Sequence, residues 1–203
     1  MLAILEMLEI IRMIGEQLFI AVCNYYMILF LYYWYHRFLH CPESGILYKM
    51  HYIGHHKRDF PVRRLRALSY SSDGSGGWFQ TGGELAFGIP AIILLSGVYY
   101  VSSLQYFINF VIVLLGVVLV GESWHSSYHL TRNAISHPEG LMVHRYIINR
   151  PEFPMMQTLH DIHHARMNKN FGFLDMTMDK LFGTYTENIP NYLIILTKHK
   201  LVY

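Results

Sequence analysis

Cysteine is nearly absent from this chain of 203 residues: Cys23 and Cys41 are the only two, and no C-x-x-C spacing occurs. That excludes a disulfide framework and thiolate metal sites, and both cysteines read as apolar fillers. Charge is also scarce, at 15% of residues against 53% hydrophobic. The formal net charge of +2 comes without any basic stripe interleaved with aromatics, which excludes a nucleic-acid partner. No internal repeat is evident, and the length fits one domain apolar enough to suspect a bilayer.

What the sequence does have is long runs without charge. From Leu18 to Tyr35, "LFIAVCNYYMILFLYYWY" holds neither charge nor proline and as a helix would cover about 27 Å, close to one hydrocarbon core. It reads as a membrane helix ending in an aromatic belt. Ahead of it, Glu6, Glu9, Arg12 and Glu16 recur at helical spacing opposite Leu5, Leu8, Ile11 and Phe19. That pattern fits an amphipathic lead lying in the interface, or equally the polar face of a soluble helix. The acids and the lack of a small-residue cleavage site argue against a cleaved signal peptide.

A second charge-free run, Leu85 to Gly121, is interrupted by "YYVSSLQYF". One straight helix of that length would need about 55 Å of apolar slab, more than a bilayer supplies, so a hairpin is expected. A hairpin returns the chain to the face it left, and the polar regions on either side then share one side of the membrane. Those regions hold every basic residue except Arg12, which makes that side cytoplasmic by the positive-inside tendency. Between them "SSDGSGGWFQTGG", Ser71 to Gly83, is a loop by composition. The expected architecture is an all-α integral membrane helical bundle with a cytosolic histidine-rich cap. A single domain over 1–203 divides into a lead (1–17), a membrane helix (18–35), the first histidine boxes (36–83), a membrane hairpin (84–122) and the last boxes (123–203).

Histidine is over-represented, at 13 residues against 14 acids. Ten fall into four clusters: "HRFLH" gives His36 and His40, "HYIGHH" gives His51, His55 and His56, "HSSYH" gives His125 and His129, and "HDIHH" gives His160, His163 and His164. Spacings of three and four bring side chains to one face of a helix, so two imidazoles can converge on one ion. All ten lie on the expected cytoplasmic side, His36 directly after the first membrane helix and His125 just past the hairpin. His137, His144 and His199 have no close partner in sequence and read as surface or satisfied core residues.

With these four boxes in place, the chain resembles the membrane-bound fatty acid hydroxylase and sterol desaturase superfamily from about Tyr33 to Thr186. The closing segment is similar as well: Asn170, Phe171 and Gly172, then Asp179, Lys180, Leu181, Phe182, Gly183 and Thr184. Met178 departs from the pattern, since relatives often carry tryptophan there. No histidine-proline-glycine-glycine haem segment is present, so a separate electron donor such as cytochrome b5 and its reductase is expected.

The resemblance implies two iron ions held by the ten histidines, with zinc able to replace iron in purified protein, because imidazole does not discriminate between them. It also implies oxidation of a fatty acyl, sphingoid or sterol C–H bond with dioxygen and external electrons, at an endoplasmic reticulum membrane. Hydroxylation is the expected outcome. Desaturation on the same site, and a non-catalytic scaffold held by zinc, are the alternatives. Asp161, Glu122, Asp59 and Asp175 are candidates to orient imidazole N–H groups, and Phe30, Tyr33, Trp34, Trp78 and Phe79 are candidates to line a lipid path. A metal transporter is disfavoured because both charge-free runs lack histidine.

Overall fold

The computed structural model describes residues 2–63, 65, 95–99, 102–130 and 142–191, and among these every regular element is helical. Helix α1 (Leu2–Leu39) contains no proline and a single glycine, so nothing interrupts it over 38 residues. It is continuous through residues 17 and 18, where the sequence reading separated an interfacial lead from a span. It stops just before Cys41-Pro42, because the residue ahead of a proline is driven out of helical backbone. A 3-10 turn (Pro42–Ser44), the short helix α2 (Ile46–Tyr48) and a π-helical segment (Lys49–Asp59) follow. Residues 95–99 form α3. Then come α4 (Leu104–Tyr128), α5 (Met142–Ile148), α6 (Phe153–Ala165) and α7 (Thr177–Leu181).

Two helices, Ile4–Leu39 and Leu104–Tyr128, are long and apolar enough to cross a membrane. They pack along each other through Ile28, Phe110, Leu114 and Val117, with Leu95 and Val98 of α3 against the same seam. Contacts climb both helices together: Asn24 Nδ2 donates to Asn109 Oδ1 at 3.0 Å, and the Tyr32 hydroxyl to Glu122 at 3.1 Å. The helices are therefore parallel, and their C-terminal ends meet. The Asn109 amide also reaches the Gln17 carbonyl at 3.2 Å, an interhelical amide bond of the kind that fixes register where water is scarce. Phe19 is 71% exposed and Leu18 62%, surface that a lipid environment would cover.

The rest of the described chain caps those two C-terminal ends. Tyr128, Ile147, Phe153, Met156, Leu159 and Ile162 form its main apolar cluster, which seats α6 against α4 and α5. Pro154 sits in the first turn of α6, where its missing N–H costs nothing. Leu39 and Phe173 form a second cluster, and Tyr33, Phe171 and Met178 a third. Met178 thus fills a buried place beside the closing loop.

That loop turns on Asn170, whose φ of 53° is left-handed, a conformation asparagine tolerates better than most residues. The Asn170 side chain holds the turn by donating to the carbonyls of Leu159 at 3.2 Å and Thr186 at 2.8 Å and by accepting from Thr186 N–H at 2.9 Å. Buried Asp179 then takes the N–H groups of Phe171 and Gly172, each at 2.8 Å, and the Thr184 hydroxyl at 2.6 Å. Gly172 has no room for a side chain: a Cβ would collide with the Asp175 carbonyl oxygen and come within 3.1 Å of Asp179 Oδ2. Gly172→Ala is expected to cost about 2 kcal/mol or more, read as a lower thermal midpoint in detergent. An unchanged midpoint would show that the loop relaxes freely.

Candidate metal centre

The ten box histidines come from four segments and meet at one place. His36 lies in the last turn of α1 and His40 one residue beyond the helix. His51, His55 and His56 come from the π-helical segment, His125 from the last turn of α4 with His129 just after it, and His160, His163 and His164 from α6. Nine are buried, none more than 3% exposed, and His40 is partly covered. The π segment was not anticipated. Its wider turn, seen in the Phe60 N–H bond to the His55 carbonyl at 2.8 Å, is frequent at functional sites. It lets neighbouring His55 and His56 face different groups of histidines.

Two main groups result. His36, His40, His51, His56 and His163 can each bring a ring nitrogen within 4.8 Å of the others, and so can His55, His125, His129 and His160, while His164 joins His55 and His56 between them. Within the first group, His51 Nε2 lies 3.0 Å from His36 Nε2 and 3.2 Å from Nε2 of both His40 and His56. In the second, Nε2 of His160 and His129 are 2.9 Å apart.

The opposite ring edges explain which nitrogens point inward. Nδ1–H of His36 donates to the Phe171 carbonyl at 2.7 Å, that of His163 to Lys169 at 2.7 Å, that of His164 to Phe60 at 3.0 Å and that of His129 to Leu65 at 3.0 Å. In a neutral imidazole a donating Nδ1 leaves Nε2 with a lone pair. A proton on His51 Nε2 could serve only one of its three close neighbours. His163 Nε2, His164 Nε2, His125 Nε2 and both ring nitrogens of His55 are buried without a hydrogen-bond partner. Metal–imidazole bonds of about 2.0–2.1 Å at right angles place neighbouring donors about 3 Å apart, and the observed spacings match. The donor set therefore fits metal ions.

Burial, reinforced by neighbouring imidazoles, pushes His51, His55, His56, His160 and His164 well below the ordinary range and His40 to about 2, while burial alone, opposed by the bond to Lys169, takes His163 down to about 4. The rings are neutral at pH 7, the state a metal requires. Phe60 stacks on His129 at 3.8 Å between centroids, and Phe173 lies against His36 and His125 at 4.8 and 4.7 Å. The Tyr128 hydroxyl holds Phe173 in place through its carbonyl at 2.8 Å.

Asp59 pairs with Arg58, Glu122 accepts from Tyr32, and Asp175 accepts from the Tyr25 hydroxyl at 2.9 Å and the Thr177 N–H at 2.8 Å. Asp161 is half-buried in α6. Four imidazoles are oriented by backbone carbonyls, and Asp179 stands behind one of them: it holds Phe171 while Phe171 holds His36. Asp179 stood in the quoted closing segment, but nothing in its spacing tied it to a histidine. Burial pushes its carboxyl up, against the opposing pull of its three donors. His144 is outside both groups, and its Nδ1 meets the Ser127 hydroxyl at 2.8 Å. Of the aromatic candidates, Tyr33 packs on Phe171, and Phe30 and Trp34 pack on Phe182. His137, His199, Trp78 and Phe79 lie outside the described residues.

Two parallel helices able to span a membrane, capped by converging imidazoles, define a helical protein of membrane type with a polyhistidine site suited to metal. The comparison of sequences agrees: a model of the fatty acid hydroxylase family matches residues 21–184, and the chain belongs to that family. The family points to an oxidoreductase of the lipid hydroxylase type acting at a membrane. No curated protein and no solved structure matches the chain.

The lowered imidazoles make a pH signature. Between its folded value and the ordinary value of 6.5, each ring binds a proton in the unfolded chain and none in the folded one, so stability rises with pH through that window and is complete above it. The metal-free protein should lose about 1.4 kcal/mol per pH unit per buried histidine below that value, read as a falling denaturation midpoint from pH 7 to pH 5. A midpoint that holds steady would contradict neutral buried rings.

Proposed function

We propose that this chain is a membrane-bound lipid hydroxylase whose ten histidines hold two iron ions. His36, His40, His51, His56 and His163 serve one ion, and His55, His125, His129, His160 and His164 the other. The observation that supports this most is the set of nitrogen spacings of 2.9–3.2 Å among converging rings, two of which, His36 and His129, have their far edges committed to carbonyls. When bound, reduced iron supplies the dioxygen activation needed to oxidise an unactivated C–H bond. One oxygen atom enters the C–H bond, and the other leaves as water with two protons and two electrons from a separate donor, such as cytochrome b5 and its reductase.

The chain's own part is binding and exclusion. Backbone carbonyls hold the tautomers of His36, His129, His163 and His164 so that their lone pairs face inward, and Phe60, Phe171 and Phe173 keep bulk water off the rings. The parallel helices support the proposed membrane layout. Leu65 touches His129 at the histidine end, while Ser103 begins α4 at the other. Those two ends fit the proposed hairpin over 84–122, which would leave the boxes on one face, proposed as the cytosolic face of the endoplasmic reticulum.

His163→Ala and His164→Ala are each expected to lower lipid oxidation by about a hundredfold or more, measured by lipid profiling of expressing cells and normalised to folded membrane protein. His137→Ala and His199→Ala should leave it intact. Alkene rather than alcohol products would move the reading to a desaturase, and full activity in the first two variants would mean that the boxes serve something other than catalysis and would end the oxygenase reading.

A further inference from the structure

A pocket of about 650 Å³ opens beside His40, within the range of sites that hold small ligands. Trp34, Tyr52 and Phe171 make its wall largely aromatic, Arg37 and Asn168 contribute polar groups, and no acidic side chain lines it among the described residues. Arg37 is the charge in this setting. Its guanidinium lies 4.9 Å over the Trp34 ring, 5.7 Å over Tyr33 and 5.8 Å over Phe171, and its Nη1 donates to the Tyr33 hydroxyl at 3.2 Å. No carboxylate pairs with it among the described residues. Held by three rings, it has little side-chain freedom left to lose on binding an anion, and its remaining donors suit the fork geometry of carboxylate or phosphate.

Phe171 joins this cation to the histidines. The same ring that carries the guanidinium stands 5.4 Å from His36, 5.7 Å from His40 and 5.4 Å from His163 between centroids. An anion on Arg37 is therefore one aromatic ring away from the first histidine group. On the other side of Phe171, the crevice bounded by Tyr33, Val117 and Phe173 offers only about 30 Å³, room for roughly one water and none for the middle of an acyl chain.

We propose that Arg37 binds the anionic head, carboxylate or phosphate, of a single-chain lipid in this pocket, and that hydroxylation falls on the carbons next to that head. The binding half stands alone, while the positional half rests on the hydroxylase reading: the C–H bond broken and the oxygen inserted are those of that reaction, with the same external reductant. Tyr52 and Phe171 would take the proximal chain, leaving the tail toward the exposed rings of Trp34 and Phe38.

The test uses full-length, metal-loaded protein in phosphatidylcholine nanodiscs, with brominated hexadecanoate, hexadecyl phosphate and hexadecanol as quenchers of Trp34 fluorescence, and Trp34→Phe to assign the signal. At least one anion is expected to bind about tenfold more tightly than the alcohol. Preference for hexadecanoate alone would name a carboxylate, and for hexadecyl phosphate alone a phospholipid-type head. Arg37→Gln should remove most of the preference at unchanged metal content and leave alcohol binding as it was, with Arg37→Lys between the two. Equal binding of alcohol and anions by the wild type, or equal weakening of all three by Arg37→Gln, would overturn the assignment. Mass spectrometry of products should place the new hydroxyl beside the head, and mid-chain products would overturn the positional half. An Arg37-dependent anion preference without any oxidised product would instead defeat the hydroxylase reading and leave the anion site standing.

Discussion

Ten imidazoles in one place, nine of them buried, set the constraint that everything else in the fold answers. Burial keeps the rings neutral, and a neutral ring has one donor and one lone pair. Where the donor edges are given to the carbonyls of Phe171, Lys169, Phe60 and Leu65, lone pairs are turned inward, those of His36 and His129 onto another ring nitrogen and those of His163 and His164 onto no hydrogen-bond partner at all. Such an arrangement carries a desolvation penalty at each unmet nitrogen, and a shared cation removes several at once. The fold is shaped around a charge that its own side chains do not supply.

Rigid elements hold that arrangement from both sides. Parallel α1 and α4, locked by the Asn24–Asn109 pair, bring His36 and His125 to the same level, and α6 presents three histidines from one face. The π-helical turn distributes His55 and His56 between the two groups. The closing loop supplies no histidine yet aims one of them, through the relay from Asp179 to Phe171 to His36. It also supplies Phe171, whose ring touches both Arg37 and the histidines and lines the pocket together with His40. A single short segment thus serves the orientation of imidazole and the wall of the pocket.

The histidine set was legible because spacings of three and four have a direct meaning on a helix, as in His160, His163 and His164, and the membrane helices because charge-free length has a direct meaning in a bilayer. Even His129, which ends its helix, falls in the second group. Features set by tertiary approach were not legible. The π turn has no sequence pattern that separates it from an α-helix. Anchoring by backbone carbonyls leaves no side-chain signature, so nothing in the sequence ties Asp179, aimed at two backbone N–H groups, to a histidine. The Tyr25–Asp175 bond, which ties the loop to α1 across 150 positions of sequence, was equally out of reach.

Counting metal in the purified chain tests the central claim most directly. Protein produced with iron and isolated without chelators should carry close to two metal ions per chain by elemental analysis, with an X-ray absorption edge showing nitrogen-only coordination. Folded protein that retains all ten histidines and still binds no more than one ion under saturating iron or zinc would contradict the account.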